Sequence, residues 1–127
     1  MFLETSVITI DVAPCSKPRM TQRDRWAKRQ CVLKFFAFRD AIKQSEHYDI
    51  ALCMQSFDIE FYIEMPKSWS KKKRALYNGQ PHLQRPDLDN LVKAWCDSVF
   101  VEDSVVWRFK ASKLWTDFTG HINLSPL

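Results

Sequence analysis

Acidic side chains and one lysine stand close together in the second half of the chain. Asp87 and Asp89 are separated by one residue, Lys93 follows Asp89 by four positions, and Glu102 and Asp103 form a second acidic pair. Carboxylate oxygens are the ligands that Mg²⁺ and Mn²⁺ prefer, and a bound divalent metal polarises a phosphodiester and lowers the pKa of a bound water. The sequence therefore predicts a metal-dependent site for phosphodiester hydrolysis.

Each residue of this group has a predicted role. Asp87, Asp89 and Asp103 are the predicted metal ligands, with Mg²⁺ or Mn²⁺ as cofactor. Lys93, or a second metal ion, would stabilise the charge that develops on the phosphorus and the leaving oxygen. The alternative is structural, since carboxylates also stabilise helix N-termini and Lys93 also suits an exposed ion pair with Asp89, worth about 0.3–0.5 kcal/mol. Asp97 lies further from the helix start and is predicted to be structural.

A predicted helix positions these side chains. Because Pro86 disfavours helical geometry in the residue before it, the helix begins after Pro86, with Asp87 in the lead-in and Asp89 near the first turn. Apolar residues then recur with a helical period and predict one buried face, made of Leu88, Leu91, Val92, Trp95, Cys96 and Val99. Residues 101–104 predict a turn that brings Asp103 back toward the sheet.

Periodic patterns predict the other elements. Apolar and β-branched residues alternate with polar ones in four segments, which predict strands at residues 4–12, 55–65, 105–111 and 118–124. A long helix is predicted from a cap at Asp24 to about Glu46, with an apolar face made of Cys31, Val32, Phe35, Phe36, Phe38 and Ile42. Ser70 is predicted to cap a short helix that reaches Tyr77 and ends at Asn78-Gly79.

Two basic segments suit a nucleic-acid backbone. The first is a proline-held loop with two cations, and the second is a long connection with a tryptophan and four consecutive cations. Cations contact phosphates, and an aromatic ring can stack on an unpaired base. The predicted DNA-binding residues are Lys17, Arg19, Trp69, Lys71, Lys72, Lys73 and Arg74. The alternative for both segments is a solvated basic surface.

Composition limits the class of protein. The chain has 127 residues, which suits one domain over residues 1–127, and a net charge of +4. With two glycines it has no Gly-rich phosphate loop, so no nucleotide cofactor is expected. The cysteines lack zinc-ligand spacing and are predicted to be reduced thiols, most of them buried, in a cytoplasmic protein: Cys15, Cys31, Cys53 and Cys96. No signal peptide or membrane-length apolar run is present, so no membrane partner is expected.

Motifs cover nearly the whole chain in one order. After the Lys17-Pro18-Arg19 loop come residues 66–74 (Pro-Lys-Ser-Trp-Ser-Lys-Lys-Lys-Arg), 79–82 (Gly-Gln-Pro-His), 85–93 (Arg-Pro-Asp-Leu-Asp-Asn-Leu-Val-Lys) and 102–104 (Glu-Asp-Ser). This order resembles that of the RusA-type Holliday-junction resolvases, which include phage-encoded members. The resemblance implies an α+β fold, in which two main helices pack on a small mixed β-sheet, and a homodimer in a bacterial host cell.

The same resemblance implies a function. It implies a Mg²⁺-dependent endonuclease that resolves four-way DNA junctions by paired symmetric nicks, in recombination and repair. The family's metal-binding acids fall on Asp87, Asp89 and Asp103, and its essential lysine falls on Lys93. Glu102 stands where many relatives have an aspartate, which leaves its role open. A two-fold dimer would present two equivalent sites to the approximate two-fold symmetry of a junction.

Two other functions are compatible with these residues. A non-catalytic nucleic-acid-binding module would use Trp69 and the cations that follow it. A metal-dependent nuclease would instead act on other branched or single-stranded DNA. The acids favour a nuclease, because within a cationic surface they would repel DNA unless a metal neutralised them.

Overall fold

The structure, a computed structural model, describes residues 7–19 and 29–127. Its elements in chain order are β1 Ile8–Ile10, α1 Gln30–Lys43, α2 Tyr48–Leu52, β2 Ser56–Glu64, α3 Lys71–Tyr77, α4 Leu88–Val99, a 3₁₀ turn Asp103–Val105, β3 Arg108–Thr116 and β4 His121–Pro126. None of the helices in these described ranges is long and apolar enough to cross a membrane.

The strands in the described ranges form a four-stranded mixed sheet in the order β1-β4-β2-β3. β2 and β3 are parallel, with Phe57 opposite Phe109, while β4 pairs antiparallel with both β2 and β1. Parallel neighbours need a long crossover connection, and here it contains α3 and α4. The mixed sheet with helices confirms the predicted α+β class.

The core lies between one face of the sheet and the helices α1 and α4. Phe57, Ile59 and Phe61 alternate along β2 and are completely buried, as the strand pattern predicts. One face of α4 is buried against them, at Leu91, Val92, Trp95, Cys96 and Val99. The helical spacing of these residues therefore fixes which side of α4 faces solvent.

Several predicted boundaries and burials differ from the structure. The first helix begins at Gln30, after Arg29 in extended geometry, and the predicted cap Asp24 lies outside the described residues. Cys31, predicted in its apolar face, is exposed, because Val32 takes the buried position. Cys53 is also exposed, so among the four cysteines only Cys96 is buried, and all four are free thiols.

The last two strands begin later than predicted. β3 begins at Arg108, so Val105 and Trp107 precede it, and both are exposed although their alternation suggested one covered face. β4 begins at His121, and Phe118 lies in the preceding turn with 74% of its surface exposed. Alternation predicted the existence of both strands, but their first residues depend on pairing with β2.

Phe61→Ala tests the assignment of the core. Removing this fully buried ring leaves a cavity beneath the sheet, and we expect a loss of about 3–5 kcal/mol of unfolding free energy in a urea titration. The matched control is Phe118→Ala, which removes the same ring from an exposed turn and should change stability by less than about 0.5 kcal/mol. Equal effects of the two substitutions would contradict this core.

Candidate active site

Asp87 and Asp89 lie at the start of α4 with their carboxylates exposed. Asp87 occupies the N-cap position, and its carbonyl accepts from the amide of Leu91 at 3.2 Å, but its side chain forms no capping hydrogen bond. Within the described part of the chain, neither carboxylate has an ion-pair or hydrogen-bond partner. Side-chain capping therefore does not explain Asp87, and both carboxylates are available to a ligand.

Lys113, on β3, holds the segment that leads into α4. Its Nζ donates to the carbonyl of Gln84 and, at 2.7 Å, to the carbonyl of Pro86. The residue next to Asp87 is thus tied to the sheet by a charged donor, which gives a stronger hydrogen bond than a neutral one. Sequence reasoning missed Lys113, since nothing in the pattern of β3 separates it from the other lysines.

The segment 79–82 continues this attachment along the edge of β3. The amide of Gly79 donates to the carbonyl of Trp115 at 2.9 Å, and the amide of His82 donates to the carbonyl of Lys113 at 3.0 Å. Gly79 has a φ of 78°, a left-handed geometry that glycine adopts without strain. The motif loop is therefore paired with the sheet up to two residues before Gln84.

His82 is buried in this loop, with its ring 4.2 Å from that of Trp115. Burial, and secondly the positive charge of Lys113, lowers the pKa of His82. The imidazole is therefore neutral near pH 7. Its ring packs the loop against the sheet.

Lys93 pairs with Asp97 and not with Asp89, so the structural alternative for Lys93, an ion pair with Asp89, is wrong. Its Nζ lies 3.8 Å from the Asp97 carboxylate, which also accepts Lys17 at 3.3 Å. The Lys17 ammonium also lies 4.2 Å from the ring centroid of Phe35. Asp97 thus pairs with two cations and has the structural role that was predicted for it. Lys93 remains 57% exposed at its side chain, and such a long, exposed pair contributes little stability.

Asp103 lies beyond the other end of α4, in the 3₁₀ turn. The 12 residues of α4 span about 18 Å. Cys96, in the last turn of α4, has its pKa raised to about 11 by burial, and then by the negative charges of Asp103 and Asp97. The structure therefore places Asp103, with exposed Glu102 beside it, near the C-terminal end of the helix that Asp87 begins.

The three predicted metal ligands are consequently not grouped within one chain. In residues 7–19 and 29–127, no three His, Cys, Asp or Glu side chains are close enough together to hold a metal ion. The chemistry of Asp87 and Asp89 fits a hard divalent cation, because both offer unpartnered carboxylate oxygens. A pocket of about 510 Å³ opens beside them, lined by Ser16, Arg85, Pro86, Asp87 and Asn90. Asp87, Asp89 and the pocket fit such a cation, but Asp103 lies near the other end of α4.

The predicted DNA-binding cations have different surroundings. Ser70 caps α3 by accepting from the amide of Lys73 at 3.2 Å, as predicted, and Lys71 and Lys72 are exposed. Arg74 forms an ion pair with Asp117 at 2.8 Å and also donates to the carbonyls of Pro66 and Trp69. Arg74 therefore stabilises the end of the sheet, whereas Lys71 and Lys72 project into solvent.

Trp69 is half-buried and attaches α3 to the sheet. Its ring centroid lies 4.8 Å from that of Trp115 and 5.4 Å from that of Tyr77, and the Lys73 ammonium sits 4.0 Å above it. Much of the Trp69 ring is therefore packed against other side chains of the molecule. Arg19, in the N-terminal loop, is exposed, and its carbonyl accepts from the guanidinium of Arg29 at 2.8 Å.

A comparison with protein-family models gives one match that covers most of the chain. The model described as endodeoxyribonuclease RusA matches residues 14–124, a span that contains every predicted site residue from Lys17 to Asp103. No curated protein matches the chain.

Lys113→Met tests the attachment of the segment before α4. The substitution removes two charge-assisted hydrogen bonds, and we expect about 1–3 kcal/mol less protection of the Leu91 amide in native-state hydrogen exchange. The matched control is Lys110→Met, on the same strand and exposed, which should leave that amide unchanged. The same exchange rate in both variants would show that Lys113 does not hold this segment.

Proposed function

Because the chain belongs to the RusA endodeoxyribonuclease family, we propose that it resolves four-way DNA junctions by paired, Mg²⁺-dependent nicks. The family makes the chain a hydrolase that acts on DNA, so the non-catalytic binding module is set aside. The observation that carries the proposal is the pair of exposed, unpartnered carboxylates of Asp87 and Asp89 at the start of α4, inside the matched span.

Asp87 and Asp89 are proposed to hold the divalent cation, with Asp103 of a second copy of the chain as the third carboxylate ligand, since within one chain Asp103 lies at the other end of α4. Bound Mg²⁺, or Mn²⁺, supplies polarisation of the scissile phosphate and a water of lowered pKa. The two carboxylates would hold that cation on a segment that Lys113 ties to β3. A basic protein gains from such a site, since the acids would otherwise repel the DNA backbone.

Lys93 is proposed to stabilise the negative charge that develops on the phosphate. It lies one helical turn after Asp89, and its ammonium is largely exposed. Its contact with Asp97 is long and weak, so exchanging that partner for a phosphate oxygen costs little. Lys17 retains Asp97 in either case, because it lies closer and is more buried.

Lys71 and Lys72 are proposed to contact the DNA backbone outside the catalytic residues. They project from α3, which Trp69 packs against Trp115, and Trp115 in turn pairs with the loop that leads to Asp87. Arg19 would contact phosphate on the side of the pocket at Asp87, which Ser16 lines, whereas Lys17 stays paired with Asp97.

A nicking assay over four substrates tests the proposal, with Asp89→Asn as the catalytic control. With Mg²⁺, we expect symmetric nicks in a four-way junction, little cutting of duplex, flap or single strand, and no cutting with chelator. Asp89→Asn should lower the nicking rate by at least about 10²-fold while junction binding survives or tightens, because a charge that repels phosphate is gone. Asp49→Asn, an exposed acid on α2, should behave as wild type. Preferential cutting of flaps or single strands would favour the other nuclease, and an active Asp89→Asn would reject the mechanism.

Substitution of the α3 cations tests the proposed DNA surface. Lys71→Ala/Lys72→Ala should weaken junction binding and reduce the slope of log K against log salt concentration by about one for each lost phosphate contact. Arg74→Ala should instead lower stability, since it breaks the ion pair with Asp117, and leave the slope nearly unchanged. The measurement is a binding titration at several salt concentrations. A larger slope change in Arg74→Ala than in the double variant would contradict this division.

A further inference from the structure

We propose that Lys17 is a positioning residue for the nicking reaction: it neutralises Asp97, and Lys93 is thereby free to reach the phosphate. The inference rests on the proposed function of Lys93 and adds to it the residue that makes this lysine available. It gives Lys17 a role different from the DNA contact that the sequence predicted. Its basis is that one carboxylate, on Asp97, is shared by two ammonium groups.

Asp97 holds the two lysines unequally. Its Oδ2 lies 3.3 Å from Lys17 Nζ and 3.8 Å from Lys93 Nζ. The Lys17 side chain is 21% exposed, whereas the Lys93 side chain is 57% exposed. Because water screens the longer and more exposed pair more strongly, Asp97 attracts Lys17 more than it attracts Lys93.

Two further contacts hold Lys17 in this position. Its backbone amide donates to the carbonyl of Asn90, in the first turn of α4, at 3.2 Å. Its ammonium lies 4.2 Å from the ring centroid of Phe35 on α1, in a cation–π contact. Backbone and side chain of Lys17 are thus both attached to α4, so Lys17 stays with Asp97 when Lys93 moves.

Asp97 needs a cation, because its side chain is only 23% exposed and a partly buried, unpaired carboxylate is costly. Within residues 7–19 and 29–127, the other cation paired with Asp97 is Lys93. Lys93 and Asp97 are four residues apart on one helix, a spacing that favours an ion pair. Loss of the Lys17 charge should therefore strengthen the pair between Lys93 and Asp97.

That stronger pair would draw Lys93 away from the site of reaction. Lys93 lies one helical turn after Asp89, and Asp97 lies one further turn toward the other end of α4. An ammonium held tightly by Asp97 is turned toward the second half of the helix, whereas the proposed metal and phosphate lie at its start. The charge of Lys17 thus controls the reaction through Lys93, without contact between Lys17 and the DNA.

Lys17→Met tests the inference, since methionine keeps an unbranched apolar side chain and removes the charge. We expect the nicking rate at saturating junction and Mg²⁺ to fall about tenfold, because Lys93 must first be pulled from Asp97. The Kd for the junction and its salt dependence should change little. Lys43→Met, at the exposed end of α1, removes the same charge and should nick as wild type.

The decisive comparison repeats Lys17→Met in the Asp97→Asn background. With no carboxylate to hold Lys93, the loss of Lys17 should change the saturated rate by less than about twofold relative to Asp97→Asn alone. The same tenfold loss in both backgrounds would overturn the inference, since Lys17 would then act without Asp97. A weaker Kd and a smaller salt slope for Lys17→Met, at an unchanged saturated rate, would overturn it too and make Lys17 a phosphate contact.

A second test needs neither DNA nor metal. Nuclear magnetic relaxation of the isotopically labelled Lys93 ammonium nitrogen reports how tightly that group is held in the free protein. We expect lower mobility in Lys17→Met than in wild type, and higher mobility in Asp97→Asn. Equal mobility in wild type and Lys17→Met would overturn the inference. Failure of the proposed function is separate, since the wild-type protein would then cut no junction while the change in Lys93 mobility remained.

Discussion

Burial of the inner face of α4 is the constraint on which the rest of the site depends. Leu91 and Trp95 are completely removed from solvent, against residues of β2 and α1. Rotating or sliding the helix would expose this apolar surface to water, at a free-energy cost of about 25 cal/mol per Å². The position of α4 is therefore fixed by its packing. It determines both where Asp87 and Asp89 face solvent and how far Asp103 lies from them.

The acidic residues on the solvent-facing side of α4 differ in whether a cation pairs with them. In its second half, Asp97 is partly buried and neutralised by Lys17 and Lys93. At its start, Asp87 and Asp89 have no cation within the described residues, and only the helix dipole favours them. Asp87 and Asp89 are thus two neighbouring exposed carboxylates without a cation, and this is where the divalent cation is proposed to bind.

Strand β3 connects the acids to the cationic surface. Lys113 binds the segment before Asp87, and Trp115, two residues on, packs against Trp69 at the start of α3. The cations of α3 and the acids of α4 are thus attached to the same strand within a few residues. A DNA backbone bound at one would lie at a defined position relative to the other, as the proposed hydrolysis of a single phosphodiester requires.

By itself, the sequence determined the elements whose signals are local. The buried face of α4, the alternation of β2 and the Ser70 cap of α3 follow from periodicity and capping, which act over a few residues. Cysteine burial was not determined in this way, because Cys31 and Val32 are adjacent and only packing decides which of them faces the core.

Only the tertiary structure decided the partners of the charges. Asp89 and Asp97 are both four residues from Lys93, so spacing alone cannot choose between them. Lys17, which its loop brings to α4, joins Asp97. Lys113 donates to the carbonyls of Gln84 and Pro86 because the pairing of β3 with β2 places it beside them, and no local sequence pattern reveals this contact. The distance from Asp87 to Asp103 likewise depends on the path of the chain after α4. The sequence alone identified these acids as candidate ligands. Only the fold shows that Asp87 and Asp89 lie at one end of α4 and Asp103 at the other.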